Sequence, residues 1–217
     1  MKSVFTRKSK LEIPLPQGWH QVTFNKAIDV IEQNYTSVEL LAVLSDLDPK
    51  EISKATDHES IYYLVQSLLF LQDIPKAEMP SKAMGVSIPD VDDSDRFDLG
   101  KATVGQVEDM KMVLQSRQNE LKDDLAVIKI YPEICAIYLQ PLVLKKEYDY
   151  DAAMLYAKHL ESNCDFKTIV SMGAFFLWRL SDLTSGLMKD KQKRPTRKRK
   201  LKQAFRSLGR LLGFMRR

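Results

Sequence analysis

The chain has 217 residues, 44% of them hydrophobic, with two cysteines and a formal net charge of +4. That is apolar material for one large domain or two small ones, and it excludes a disordered body. The charge is uneven: residues 189–217 hold thirteen Lys/Arg against Asp190 alone, a net of +12, which leaves 20 bases and 28 acids, a net of −8, in residues 1–188. An acidic body with a basic arm points to a protein that meets an anionic surface or lies along a partner. No apolar h-region follows the basic start, Met1 to Lys10, and no run approaches 18 uncharged apolar residues. Neither a secretory signal nor a membrane span is therefore expected. Cys135 and Cys164 lie in apolar helical surroundings. They are expected to be buried free thiols of a protein made in a cytoplasm, with a disulfide as the alternative.

Taken in order, residues 1–18 are expected to be an extended arm, because Pro14, Pro16 and Gly18 oppose a helix. Thr23 has the character of an N-cap for a helix over Phe24–Gln33, with Ala27, Ile28 and Ile31 on one side. Thr36 or Ser37 caps a second helix through Ser45, and Pro49 marks a short third turn. Asp57 to Ser60 opens a helix over Ile61–Gln72 that is apolar nearly all round, the mark of a buried or interfacial helix. Residues 73–101 break the periodicity with Pro75, Pro80, Gly85, Pro89 and Gly100 and an acidic cluster from Asp90 to Asp98. The short pieces Met84–Ile88 and Arg96–Leu99 form either a small hairpin or an ordered linker.

Helices are expected to resume after Thr103, with Val104, Val107, Met110 and Leu114 as the apolar stripe. Asn119 starts the next helix, which Pro132 kinks or splits and which stops before Pro141. Asp149 or Asp151 caps a helix through Glu161, and Asp165 caps the last core helix, Phe166 to about Met188. The two halves are weakly similar. Glu39 to Leu44 matches Glu133 to Tyr138, and Asp57, Ile61 and Leu69 to Leu71 match Asp165, Ile169 and Phe175 to Leu177. The expected fold is mainly α: two related helical halves, 19–72 and 102–188, joined by the Pro/Asp-rich segment 73–101. The extended arm 1–18 precedes them, and a basic amphipathic helical arm, 189–217, follows.

The chain has no phosphate-binding glycine loop, nucleophile elbow or Cys-x-x-Cys pair. His20, His58 and His159 lie in different segments and read as surface or helix-end residues. An EF-hand loop needs Gly at its sixth position and Glu at its twelfth. Counted from Asp90, those positions hold Asp95 and Lys101; counted from Asp93, they hold Asp98 and Val104. Asp123 and Asp124 are adjacent, so a helix points them to different sides. No catalytic residue, cofactor or metal site is assigned.

The arm carries the candidate binding residues. Leu201, Phe205, Leu208, Leu212 and Met215 recur at helical spacing, a stripe for a partner's groove. Arg194, Arg197, Lys198, Arg199 and Lys200 supply charge for phosphates or for an acidic partner. A protein partner, nucleic acid, an anionic membrane and the chain's own acidic body are the four candidate surfaces. The first and last suit the stripe best, and membrane suits it least.

Pro16 to Thr23, Leu99 to Gln106, Ala136 to Pro141, Tyr148-Asp149 and Phe175 to Leu177 resemble small α-helical proteins encoded among phage tail genes, of the tail assembly chaperone type. The resemblance spans about 150 residues. It implies a non-enzymatic protein in the host cytoplasm that holds a long helical tape-measure protein soluble until tail subunits enclose it. The basic arm departs from the acidic, compact pattern of that family. It leaves open a virion component, such as a packaged nucleic-acid-binding protein or a head–tail connector part.

Overall fold

The computed structural model describes residues 2–5, 11–77, 82–83, 86–87, 102–117 and 123–186. The fold is mainly α. Its described residues divide into two units, each with its own interior: residues 11–76 with 159–169, and residues 102–158 with 170–186. The expected halves run consecutively along the chain, whereas the first unit also takes His159–Ile169.

In the first unit, strands β1 (Lys2–Phe5) and β2 (Glu12–Leu15) form an antiparallel pair in which Val4 lies opposite Ile13. Two strands within the expected extended arm are thus paired. Ile13 and Leu15 alternate into the interior along β2, as a strand with one buried face requires. A 3-10 turn at Trp19–Gln21 leads into helix α1 (Phe24–Glu32). Thr23 stands at its N-cap but makes no side-chain capping bond. The chain entering the last helix, Phe166–Gly186 (α9), secures this end instead. Phe24 N–H donates to the Cys164 carbonyl at 3.0 Å, and Phe166 N–H donates to the Val22 carbonyl at 2.9 Å. Thr23 and Asp165 form the β-bridge between these two bonds. The two helix starts are thereby tied together, each with a buried phenylalanine in its first turn, rings 5.7 Å apart. Trp19 packs on Phe166 at 4.8 Å and edge-on to Phe70 at 5.3 Å, and its indole N–H donates to the Asp73 carbonyl at 2.7 Å.

Helix α2 (Ser37–Ser45) begins at a capping box, Thr36 with Glu39. Its Leu41, Ala42 and Leu44 are buried. Asp48 caps α3 (Pro49–Ala55), with proline in the first turn. Asp57 caps α4, which runs from His58–Gln66 and stops six residues before the expected end. Ser67 Oγ turns back to the Leu64 carbonyl at 2.6 Å, and Leu69–Gln72 continues as a 3-10 turn. Local hydroxyl-to-backbone bonding of this kind competes with the helical ladder. The segment is also not buried all round: Leu64 and Leu68 point inward, while Tyr62 and Tyr63 are exposed.

Within 73–101, strands β3 (Lys82–Ala83) and β4 (Val86–Ser87) pair as a minimal hairpin. Of the two pieces of the expected hairpin, Val86–Ser87 of the first is among the described residues, and Arg96–Leu99 lies outside them.

The second unit opens with helix α5 (Val104–Ser116), capped by a box of Thr103 and Gln106. Of the expected stripe, Met110 is buried, Val107 and Leu114 are half-buried and Val104 is 80% exposed; Gln106 and Val113 join Met110 on the inward face. Asp123 caps α6 (Asp124–Lys129), and α7 (Tyr131–Leu144) follows with Pro132 in its first turn. The expected split at this proline is therefore present at Ile130. Asn119 lies outside the described residues. Helix α7 does not stop before Pro141, as expected, but passes through it. A proline at that position has no N–H for the carbonyl four residues back. That carbonyl, on Ile137, instead accepts from the buried Gln106 side-chain amide at 2.7 Å.

By length and mean hydropathy alone, Asp124–Leu144 is long and apolar enough to cross a bilayer, yet more than half of it is buried within the protein. Asp124, Lys129 and Glu133 punctuate it, and Ile130, Ile134, Cys135, Ile137 and Leu139 are core residues. The last two helices are α8 (Tyr150–Asn163) and α9 (Phe166–Gly186). Asp149 begins α8 by accepting from Ala152 N–H at 2.7 Å, and Asp165 begins α9 by accepting from Thr168 N–H at 2.9 Å. Gly173 of α9 lets the Tyr131 ring of α7 approach so closely that a Cβ there would lie 2.1 Å from its Cγ. Tyr138 stacks on Phe176 at 4.7 Å. Cys135 and Cys164 are buried and form no disulfide.

Candidate partner-binding surface

Three separated stretches with short sequence signatures meet in the second unit: the start of α5, the end of α7, and the turn into α8. Two buried glutamines hold them. Gln106, 3% exposed, donates to the Ile137 carbonyl. Gln140, 1% exposed, accepts from Asp149 N–H at 3.4 Å and donates to the Glu147 carbonyl at 3.5 Å. Tyr148 completes the tie, its hydroxyl donating to Asp109 Oδ2 at 2.7 Å while its ring lies beside Gly105. Burial, then the bond and charge of Asp109, push the Tyr148 phenol far above its usual range, so it remains a donor. At the far end of α5, Arg117 pairs with Glu133 of α7. Burial raises the Glu133 carboxyl more than Arg117 lowers it.

This frame presents an apolar surface with an acidic border. Val104 and Leu155 are 80% and 69% exposed, and Leu142, Leu144 and Tyr150 are also exposed. The same three stretches carry Glu108, Asp109, Glu147, Asp149 and Asp151, with Lys145 and Lys146 as their bases. Such a surface suits a ligand with apolar side chains and positive charge, and it repels phosphate. The first unit has a second exposed group, the edge-to-face pair Tyr62 and Tyr63 with rings 5.9 Å apart.

Every arm residue singled out from the sequence lies outside the described residues: Arg194, Arg197, Lys198, Arg199, Lys200, Leu201, Phe205, Leu208, Leu212 and Met215. Sequence reasoning missed the surface on the second unit, having placed Val104 on the inward stripe. The available signal was the alternation Tyr148-Asp149-Tyr150-Asp151, which sets rings and carboxylates together at the start of a helix. His20, His58 and His159 are exposed and occupy separate elements. Among the described residues, no three His, Cys, Asp or Glu side chains gather as metal ligands would. No family model, curated protein or solved structure matches this chain.

Proposed function

We propose that this chain is a non-enzymatic phage assembly or structural protein of the tail assembly chaperone type, built as two related helical halves with a basic amphipathic C-terminal helix. It binds partner proteins through apolar helix faces and its basic arm, and the partners are phage structural proteins: tape-measure, tail or connector components. It works in the host cytoplasm, with incorporation in the virion as the alternative. The observation that carries the reading is the charge partition, a net of +12 on residues 189–217 beside an apolar stripe, against −8 on the rest. The exposed apolar residues of the second unit support it, because apolar area removed from water is what such a protein offers, at roughly 25 cal/mol per Å² before association costs.

The test is co-expression with an apolar, helical tape-measure-type chain. The intact protein is expected to keep that chain in the soluble fraction, whereas Leu208→Asp, or removal of residues 189–217, abolishes the effect. If the client precipitates equally with the intact protein, the reading fails. The +12 charge also favours a second reading, a nucleic-acid-binding or virion-packaged protein with Arg194 and Arg197 to Lys200 on phosphates. That reading requires duplex affinity to fall steeply between about 50 and 200 mM salt, while a groove-bound stripe changes little.

A further inference from the structure

We propose that the acidic, apolar surface around Val104 and Tyr150 is the docking site for the chain's own basic segment, Lys189–Arg217. This goes beyond the assembly reading and does not depend on which partner the arm meets elsewhere. The first ground is chemical fit. Five carboxylates and two lysines stand along 104–109 and 142–155, among exposed Val104, Leu142, Leu144, Tyr150 and Leu155. The segment offers the complement, thirteen cations interleaved with Leu201, Phe205, Leu208, Leu212 and Met215. Exposed Tyr150 adds a ring face for an arginine or lysine.

The second ground is reach. Helix α9 is described as far as Gly186, in the same unit, fifteen residues before Leu201. Extended, those residues span at most about 50 Å, and tethering gives the segment an effective concentration near millimolar. The third ground is rigidity. Gln106, Gln140 and Tyr148 fix the three backbone stretches that carry the surface, so a ligand is met without ordering the receptor first. A free arm and a docked arm then compete, and a partner of the arm must displace this contact.

The experiment uses the full chain at low salt. Trypsin is expected to cut within Lys189–Arg217 at least about tenfold more slowly than in a free peptide of that sequence, and high salt is expected to remove most of the protection. Glu147→Lys with Asp151→Lys, and separately Val104→Ser with Leu155→Gln, should each restore rapid cutting while the far-ultraviolet circular dichroism stays unchanged. Zero-length carbodiimide cross-linking should join arm lysines to Glu108, Glu147 or Asp151 in the monomeric species. Cutting as fast as in the free peptide overturns the proposal. So do cross-links that map to other acids, or protection that grows with protein concentration, which would assign the arm to a second copy. Where a variant unfolds, the cross-link map of the unaltered chain decides alone. Protection that persists in a chain unable to keep a client soluble would sink the assembly reading and leave this docking standing.

Discussion

Gly173→Ala is the most informative single substitution. In an exposed helix interior, alanine is favoured over glycine by about 1 kcal/mol, so propensity alone predicts a more stable protein. Here the new Cβ would sit 2.1 Å from Tyr131 Cγ, 2.4 Å from its Cβ and 2.6 Å from its Cδ2. A rotamer change cannot clear the second contact, because Cβ is fixed to the backbone. The start of α7 must therefore retreat from α9 by about 1 Å to reach ordinary van der Waals separation. Tyr131 is 6% exposed and is followed by buried Pro132, so the retreat disturbs a packed region. Overpacking of this kind costs typically about 1–3 kcal/mol and occasionally more. Set against the propensity gain, the expected net loss is up to about 2 kcal/mol. In a chain of this size each kcal/mol lowers the melting temperature by about 2–4 °C. Urea unfolding followed by circular dichroism reads the change, with the midpoint moving down and the slope unchanged. Tyr131→Ala should shrink the penalty by removing two of the three overlaps. A Gly173→Ala protein more stable than the parent, as propensity alone predicts, would refute the close approach of α7 and α9.

Gln106→Ala should cost about 1–3 kcal/mol by stranding the Ile137 carbonyl that Pro141 leaves without an N–H; adding Pro141→Ala, which supplies that N–H, should recover part of the loss in a denaturation cycle. Glu133 has its carboxyl raised by burial, so the folded state holds that proton longer, and the stability from this group is present at low pH and lost as pH rises through and just above the usual carboxylate range. Arg117→Ala should steepen this loss, and Glu133→Gln should remove it from the pH–stability profile. Burial, then the neighbouring Asp165 carboxylate, pushes the Cys164 thiol up to about 11, so its contribution is intact below about pH 9 and lost between about 9 and 11. Thiol reagents at neutral pH should accordingly label Cys164 only as fast as the first unit opens, and fast labelling of the native protein would contradict its burial.

The helix starts were the readable part of the sequence, because the capping chemistry is local. Thr36 with Glu39, Asp57, Thr103, Asp149 and Asp165 all begin helices where their residue types predict. The misreadings occurred where a distant segment decided the outcome. Thr23 looks like a cap and makes no capping bond, because the chain at Cys164 and Phe166 supplies the partners for that end. Pro141 looks like a terminator, but Gln106, thirty-five residues earlier, takes the carbonyl that would have ended the helix. Val104 looks like the first residue of an inward stripe, yet the capping box turns Gln106 inward and leaves Val104 in solvent. Periodicity reports which residues share a face; it does not report which face a neighbour covers.

The same deviations mark where the surface is being controlled. A buried glutamine is an expensive core residue unless every polar atom is used, and an apolar residue of similar volume would pack as well. This chain places two of them, Gln106 and Gln140, in one unit, and both spend their amides on backbone groups of other segments. Neither bond is needed to bury α7, whose Ile134, Ile137 and Leu139 already fill the interior. What the bonds do is fix the start of α5 and the turn into α8 relative to the end of α7. Those are the stretches that expose Val104, Leu144 and Tyr150 among carboxylates. Where local rules are broken inside a core, the compensating gain is sought at the nearest functional surface. Replacing Gln140 by leucine should therefore cost little in global stability, yet it should release Asp149 N–H and the Glu147 carbonyl. Amide exchange at Asp149 should rise about tenfold or more as that turn opens locally, together with trypsin cutting in the basic segment. If exchange there is unchanged, the glutamines are only filling space, and the surface is not built.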